Sequence, residues 1–320
     1  MSALRLLLNS DFTGANAFFA LADADGSLRS AGLDLHFTLG RGAWTAAARL
    51  ADGEFDLAYG DINALAERVA LQGVDELPQA VCMLHQHAPS AITVARSSAI
   101  HEAADLRGKH IVGHATDVAL KTFPLFARAN GLAMEAVKTS TASGTMRTLL
   151  QAMLEGQSDA VFGYLTTHTA ALADAGLRAS DSVRFLPYRK ACPALYGSAL
   201  MASARMLREQ PQQVWRLVQV LRASIAAAQA QPERALDAVM ARAPTATRAT
   251  EAERLQGTLA GDMGLNAAPG ERWGDVDDQR LTTGMSGLAL ACGWPSVPLA
   301  HRVFTRRFLA AQLPEASAAR

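Results

Sequence analysis

One short unit occurs twice in this chain, and it limits the folds available more than any other feature. Asp52-Gly53-Glu54-Phe55-Asp56-Leu57-Ala58-Tyr59-Gly60 and Glu155-Gly156-Gln157-Ser158-Asp159-Ala160-Val161-Phe162-Gly163 both read acidic-Gly-x-x-Asp-x-x-aromatic-Gly. Each copy follows an amphipathic stretch. The pattern predicts a helix closed by a Gly cap, a polar turn, and a short buried strand that runs out to a second Gly. The alternative is coincidence between two common helix-to-strand turns. Read as a repeat, it implies two equivalent lobes, each presenting the same strand end.

The rest of the chain is consistent with that architecture. Apolar runs and amphipathic stretches alternate: a strand over Leu4–Asn9, a helix over Ala15–Ser30, a strand over Leu33–Thr38 and a helix over Ala43–Asp52. A strand over Phe55–Tyr59 and a helix over Asp61–Gln72 follow. This alternation predicts open, mostly parallel sheets with helices on both faces. After Ser203 the pattern becomes helical: Pro211–Gln231, Pro232–Arg242, Glu251–Gly261, Asp275–Cys292 and Ala300–Gln312, with Pro211 and Pro232 suited to first turns. A length of 320 residues is enough for two cores. Ser90–Ala95 outward and Ala194–Leu200 back are the expected crossovers, so residues 1–92, 93–196 and 197–320 read as lobe I, an inserted lobe II, and the remainder of lobe I with C-terminal helices.

Composition excludes several classes of function. Acidic and basic residues balance at 30 each, leaving no excess charge for a phosphate backbone, so no nucleic-acid partner is expected. Cys82, Cys192 and Cys292 are widely spaced and form neither a zinc set nor a disulfide framework. His85-Gln86-His87 would point its two imidazoles to opposite faces of an extended segment, so His87 reads as structural or as a ligand edge, and no metal is expected. There is no GxSxG elbow, HExxH or P-loop. No apolar run approaches a membrane span. The N-terminal run is strand-sized, which leaves either a removed leader or a cytoplasmic protein.

Ligands of open parallel sheets sit beyond the carboxyl ends of strands. Asp11, Phe12 and Asn16 follow the first strand and are cleft candidates, or a solvated loop. Arg41, Gly42 and Trp44 lie at a strand-to-helix turn; His114 with Thr116, and Gly144 with Thr145, lie at two more. Backbone N–H groups at such helix starts can hold an anion, or the same residues cap their own helices. Asp61 either accepts from a ligand donor or caps the helix that follows. Tyr164, Tyr188 and Tyr196 either stack on a planar ligand or pack at the core edge.

Ala22-Asp23 with Leu28-Arg29-Ser30-Ala31-Gly32-Leu33-Asp34-Leu35, then Leu50-Ala51-Asp52-Gly53-Glu54-Phe55-Asp56, then Ala104-Asp105-Leu106-Arg107-Gly108-Lys109-His110-Ile111-Val112-Gly113, and finally Tyr196-Gly197-Ser198-Ala199-Leu200-Met201-Ala202-Ser203 occur in that order. Together they resemble a large solute-binding group: the binding proteins of ABC importers for thiamine pyrimidine precursors, sulfonates, taurine and nitrate, with the related fungal thiamine-pyrimidine synthases. The resemblance implies an α/β, type II periplasmic-binding-protein fold: two α/β lobes joined by two crossover strands, with a helical C-terminal extension. It implies a monomer in the periplasm, the cytoplasm being the alternative. A pyrimidine-type heterocycle or a sulfonate or carboxylate anion would be held between the lobes and passed to ABC permease subunits, its only link to the membrane. The synthases hold pyridoxal phosphate on a lysine, consume a histidine and carry a cysteine cluster. Here Gly60, Ala64 and Cys192-Pro193-Ala194-Leu195-Tyr196-Gly197-Ser198 stand at those places, so no cofactor and no chemistry are expected, with a synthase-like enzyme or a cytoplasmic sensor as the alternatives. Ser10 stands where the pyrimidine binders stack a tryptophan and Asn16 where they carry a histidine, leaving Trp44 as the substitute stacking face.

Overall fold

Each copy of the repeated unit closes a helix and opens a central strand, and the two do so with the same bonds. The computed structural model describes residues 3–72, 76–265 and 273–313. Helix Ala43–Ala51 ends at Gly53, whose φ of 79° is left-handed and whose amide returns to Leu50 O at 3.1 Å. Helix Met146–Leu154 ends at Gly156, with φ 81° and a 3.0 Å return to Met153 O. A glycine is needed here because side chains rarely tolerate that φ. The repeated aspartate has an equally definite task. The Asp56 carboxylate accepts the Arg5 amide at 2.9 Å, and the Asp159 carboxylate accepts the His110 amide at 2.8 Å. Each aspartate thereby completes the hydrogen bonding of the neighbouring strand.

The strands are β1 (Leu4–Leu7), β2 (Leu35–Thr38), β3 (Leu57–Asp61), β4 (Gln79–Met83), β5 (Ser90–Ala95), β6 (His110–Gly113), β7 (Lys138–Thr141), β8 (Ala160–Tyr164), β9 (Val183–Pro187) and β10 (Ser198–Ala202). They form two five-stranded sheets, ordered β2-β1-β3-β10-β4 and β7-β6-β8-β5-β9. The orders are equivalent, with β3 and β8 at corresponding positions. Both sheets are mixed: β10 runs antiparallel to β3 and β4, and β5 runs antiparallel to β8 and β9. The antiparallel strand in each lobe is the one that begins just after the chain has crossed from the other.

The crossings differ in detail from the expected ones. Ser90–Ala95 lies wholly in the second sheet, and Ser198–Ala202 in the first. The chain passes between lobes over residues 84–89 and 188–197, and these crossings bond to each other through Gly197 N to His85 O at 3.1 Å. A Cβ at Gly197 would lie 2.8 Å from Pro89 and 2.9 Å from His85, so the close approach of the two requires glycine.

Sheet faces are covered by separate apolar clusters. One side of the first sheet packs helices Ala17–Ala24, Pro211–Ala230 and Pro232–Arg242; the other packs Ala43–Ala51 and Ile62–Gln72. The expected helix Ala15–Ser30 is interrupted at Gly26, whose φ is 77°, leaving Ala17–Ala24 and Ser27–Ser30. The expected helix Glu251–Gly261 is Arg248–Gly257 followed by a π turn, Thr258–Asp262. Of Ala300–Gln312 only Ala300–Val303 is α-helical, because Phe304 then bridges to Ala80 at the edge of the first sheet. Among the described residues no helix is long and apolar enough to cross a membrane.

Candidate functional site

Between the sheets lies a cavity of about 540 Å³ at the carboxyl ends of β1, β3, β6 and β8. Its first-lobe wall includes Ser10, Arg41 and Gly42, and its second-lobe wall includes His114, Thr116, Gly144 and Tyr164. The third wall comes from far along the chain. Arg254, Thr258 and Asp262 project from helix Arg248–Gly257 and its π turn. π turns recur where a helix must re-aim a side chain, and this one keeps Thr258 and Asp262 directed into the cavity.

The repeat locates the floor. β3 runs out through Asp61 and β8 through Tyr164, the equivalent position. Tyr164 lines the cavity, whereas Asp61 is fully buried beneath it. One Asp61 oxygen accepts the Asn63 amide and side chain, both at 2.9 Å, which caps the following helix; the other oxygen has no hydrogen-bond partner. Burial lifts the Asp61 carboxyl to about 7 against the opposing pull of the Asn63 bonds. Beside it Tyr59 and His85 share a 2.7 Å hydrogen bond, and burial holds the His85 imidazole neutral, lowering its pKa to about 3.

Two residues of the cavity wall, Arg254 and Thr258, carry fully buried polar atoms, Nε and Oγ1, that have no hydrogen-bond partner. Buried polar groups are almost always satisfied in folded proteins, which makes this side of the wall its least satisfied part. The charge pattern is mixed. Arg254 is mostly buried and uses one guanidinium nitrogen on Glu251 at 3.1 Å. Helix Ala43–Ala51 begins at Gly42 with no side-chain cap, which leaves its first amides available at the cavity beside Arg41. Against these stand two carboxyls. Asp262 is raised to about 8 by burial, opposed by Arg189 and the Thr166 hydroxyl. Asp117 is raised to about 6 by burial, opposed by the Ala119 amide that it caps.

Six of the sequence candidates line this cavity: Arg41, Gly42, His114, Thr116, Gly144 and Tyr164. The others are placed elsewhere. Asp11 is exposed, and its carbonyl accepts the Asn16 side chain at 2.9 Å. Asn16 is fully buried and also accepts the Thr13 amide, so it orders the loop. Phe12 packs edge-on to Phe37 in the core, beneath the Arg242 guanidinium. Trp44 packs against the first-lobe core, away from the cavity wall. Thr145 caps its own helix through Thr148. Tyr188 stacks on Phe126 inside the second lobe and donates to Ala119 O. Tyr196 accepts the Asp277 amide under the Arg280 guanidinium. His87 diverges from His85 into a separate pocket with Arg189 and Arg280. The sequence reading missed Arg254, Thr258 and Asp262, whose only signal was polar residues at steps of four on a helix.

A Schiff-base cofactor does not fit. A Cβ at Gly60 would lie 2.9 Å from Ala43 O and 3.0 Å from Ala47 N, so the strand touches helix backbone there. None of the lysines, at 109, 121, 138 and 190, lines the cavity.

Comparisons with known proteins agree with this architecture. The family profile described as NMT1/THI5 like matches residues 14–235. No curated protein matches the chain by sequence. Solved structures do match by shape. The periplasmic aliphatic sulphonate binding protein SsuA from Escherichia coli superposes with a TM-score of 0.72 at 15% identity, over 97% of this chain and 99% of that one. The alkanesulfonate-binding protein SsuA from Xanthomonas axonopodis pv. citri, bound to MOPS, gives 0.69 at 18% identity, over 95% and 98%. A Candida albicans protein described as having the generic periplasmic binding protein fold gives 0.66 at 13% identity, over 94% and 93%. The chain therefore has the periplasmic-binding-protein fold.

Proposed function

The chain belongs to the NMT1/THI5-like family, and from that premise we propose that it captures a small organic anion, a sulfonate or carboxylate, between its lobes for delivery to an ABC importer. It acts as a monomer in the periplasm and performs no chemistry on its cargo. The observation that carries this reading is Arg254, a mostly buried guanidinium in the cavity wall, which shares that cavity with the Thr258 hydroxyl and the uncapped start of helix Ala43–Ala51. Charge-assisted donors in a low-dielectric cleft favour an anion. A pyrimidine-type ligand has less support, because Trp44 and the other tryptophans are absent from the wall.

Capture works by closure, with the lobe of the second sheet, residues 90–187, moving about the two crossings. Thr116 Oγ1 reaches Arg41 O at 3.3 Å, and Thr250 Oγ1 donates to Asp174 at 2.7 Å, each linking elements of different lobes. A ligand touching both walls favours the closed arrangement by its differential affinity, and the importer reads that state.

The test is a thermal-shift screen with short alkanesulfonates, carboxylates and aminopyrimidines. A bound anion at a hundred times its Kd should stabilise the protein by about 2.7 kcal/mol. A shift only with the pyrimidines, or with none of the panel, would sink the anion reading.

A further inference from the structure

We propose that the chain carries a second anion site, outside the interlobe cavity, where His87, Arg189 and Arg280 hold a small oxyanion of the phosphate type across the two crossings and so favour closure of the lobes. The site stands apart from the capture reading above; only its effect on the cargo rests on that reading. Its pocket, of about 560 Å³, is lined by His87 from the first crossing, by Arg189, Pro193 and Leu195 from the second, and by Arg280 from helix Asp278–Cys292. It shares no lining residue with the interlobe cavity. Three of the five side chains are basic and none is acidic, in a chain whose charges balance at 30 each. A concavity of one sign concentrates ions of the other. His87 diverges from His85 into this pocket, which gives the second histidine of that pair a task that the interlobe cavity does not.

The three basic groups are held differently. Arg280 is fixed in place: its Nε donates to Pro193 O at 3.1 Å, and its Nη2 donates to Leu195 O at 3.0 Å and to Gln86 O at 2.6 Å. Its guanidinium carbon lies 3.9 Å from the centre of the Tyr196 ring. Those carbonyls belong to both crossings, so one guanidinium already joins them. Carbonyls orient its charge without cancelling it, and Nη1 stands outside these bonds. Arg189, on the short helix Tyr188–Ala191, is exposed, and among the described residues no hydrogen bond or salt bridge engages its guanidinium. The carboxyl that feels it is Asp262, which lines the other cavity and which burial keeps protonated up to a pKa of about 8. Burial, then the charges of Arg280 and Arg189, lower the His87 pKa, and no carboxylate opposes them. The neutral imidazole offers one N–H beside two cations. Guanidinium forks match phosphate oxygens, and a phosphate dianion answers two positive charges. An oxyanion touching His87 and Arg189 bridges the crossings in the arrangement in which Thr116 and Thr250 link the lobes. It therefore favours that arrangement, and by linkage phosphate and cargo raise each other's affinity by one factor.

The experiment titrates inorganic phosphate into the full chain by calorimetry at neutral pH, with chloride holding the ionic strength constant, both alone and with saturating butanesulfonate. Phosphate should bind the wild-type protein with a Kd below about 1 mM. Arg189→Gln changes an exposed side chain and should weaken that binding at least tenfold, whereas Arg254→Gln, in the other cavity, should leave it within threefold. Butanesulfonate should tighten phosphate binding at least threefold, phosphate should tighten butanesulfonate binding equally, and phosphate alone should reduce the radius of gyration in small-angle scattering. A Kd above about 1 mM would overturn the site, leaving adventitious ion binding only. Binding lost in Arg254→Gln but kept in Arg189→Gln would overturn it too, by placing phosphate in the interlobe cavity. Phosphate that binds through Arg189 yet changes neither the radius nor the butanesulfonate affinity would overturn the link to closure. If butanesulfonate itself fails to bind, the capture reading is in trouble, while the phosphate titrations and the scattering still decide this one.

Discussion

Replacing Arg254 by glutamine tests the anion site at its most specific point, and the structure lets the effect on binding be separated from the effect on stability. Arg254 does two things. Its Nη1 pairs with Glu251 at 3.1 Å, and the side chain lines the cavity. Losing one charge-assisted hydrogen bond to the ligand costs about 1.5–3 kcal/mol, which is a loss of about tenfold to about 150-fold in affinity. Losing the ion pair is a separate cost, because Glu251 is 4% exposed and would be left with the Gly14 amide as its remaining partner. Removing one member of a buried pair outright costs about 3–5 kcal/mol. Glutamine keeps a donor toward Glu251, so the fall in stability should stay below that range. The companion variant Glu251→Gln keeps the guanidinium and removes the competing carboxylate, so its affinity for butanesulfonate should hold or rise. Calorimetric titration of butanesulfonate against both variants, with urea melts to confirm folding, makes the comparison. A folded Arg254→Gln protein that binds within threefold of wild type would refute the assignment of Arg254 as the anion anchor.

Three further outcomes follow from the same geometry. Gly60→Ala should destabilise by about 1–3 kcal/mol, because its Cβ meets the backbone of Ala43 and Ala47 at 2.9 and 3.0 Å and neither can step aside; a urea midpoint unchanged from wild type would contradict the close strand–helix contact. Thr250→Ala removes the 2.7 Å bond to Asp174 across the cleft and should weaken ligand affinity by about twofold to about tenfold through a less favourable closure, with ligand contacts untouched; an unchanged Kd would show that this bond does not stabilise the closed state. The third concerns pH. Asp61, Asp117 and Asp262 have folded-state values raised to about 7, 6 and 8 by burial, above the unfolded 3.8. Stability from these carboxyls is fully present below pH 3.8 and is lost as pH rises through those values. His85 and His168, lowered by burial to about 3 and 4, act in the opposite sense, their contribution being present above 6.5 and lost as pH falls. From about pH 7.5 upward the histidines add almost no slope, so there the empty protein should lose up to about 1.4 kcal/mol per pH unit for each carboxyl still protonated. Thermal melts from pH 6.5 to 8.5 should show this fall, and Asp262→Asn should flatten it; a flat wild-type profile would contradict the burial of these groups.

The repeated unit was readable because everything it encodes is local or nearly so. A left-handed glycine, an aspartate that completes a neighbouring strand, and an aromatic residue entering the core are each dictated by backbone geometry that recurs wherever a helix feeds a parallel strand. For the same reason the strand ends and helix starts pointed to six residues that line the cavity, including Tyr164. The aromatic candidates were harder. Phe12, Tyr188 and Tyr196 lie near strand ends, but whether a ring there faces a ligand or the core depends on what packs over it. For Tyr188 that is Phe126, and for Tyr196 it is Arg280.

By itself, then, the chain's sequence determined two equivalent lobes, their strand ends and the family to which they belong, because those follow from short-range hydrogen bonding and from apolar periodicity. The tertiary structure alone decided which wall completes the cavity. Arg254, Thr258 and Asp262 sit on a helix whose polar row reads, in isolation, as a solvent face. They line the cavity because the helix packs against Leu165–Asp174 of the other lobe, with Thr250 bonded to Asp174. No local pattern specifies that contact. It depends on how a segment 76 residues farther along the chain docks across the cleft.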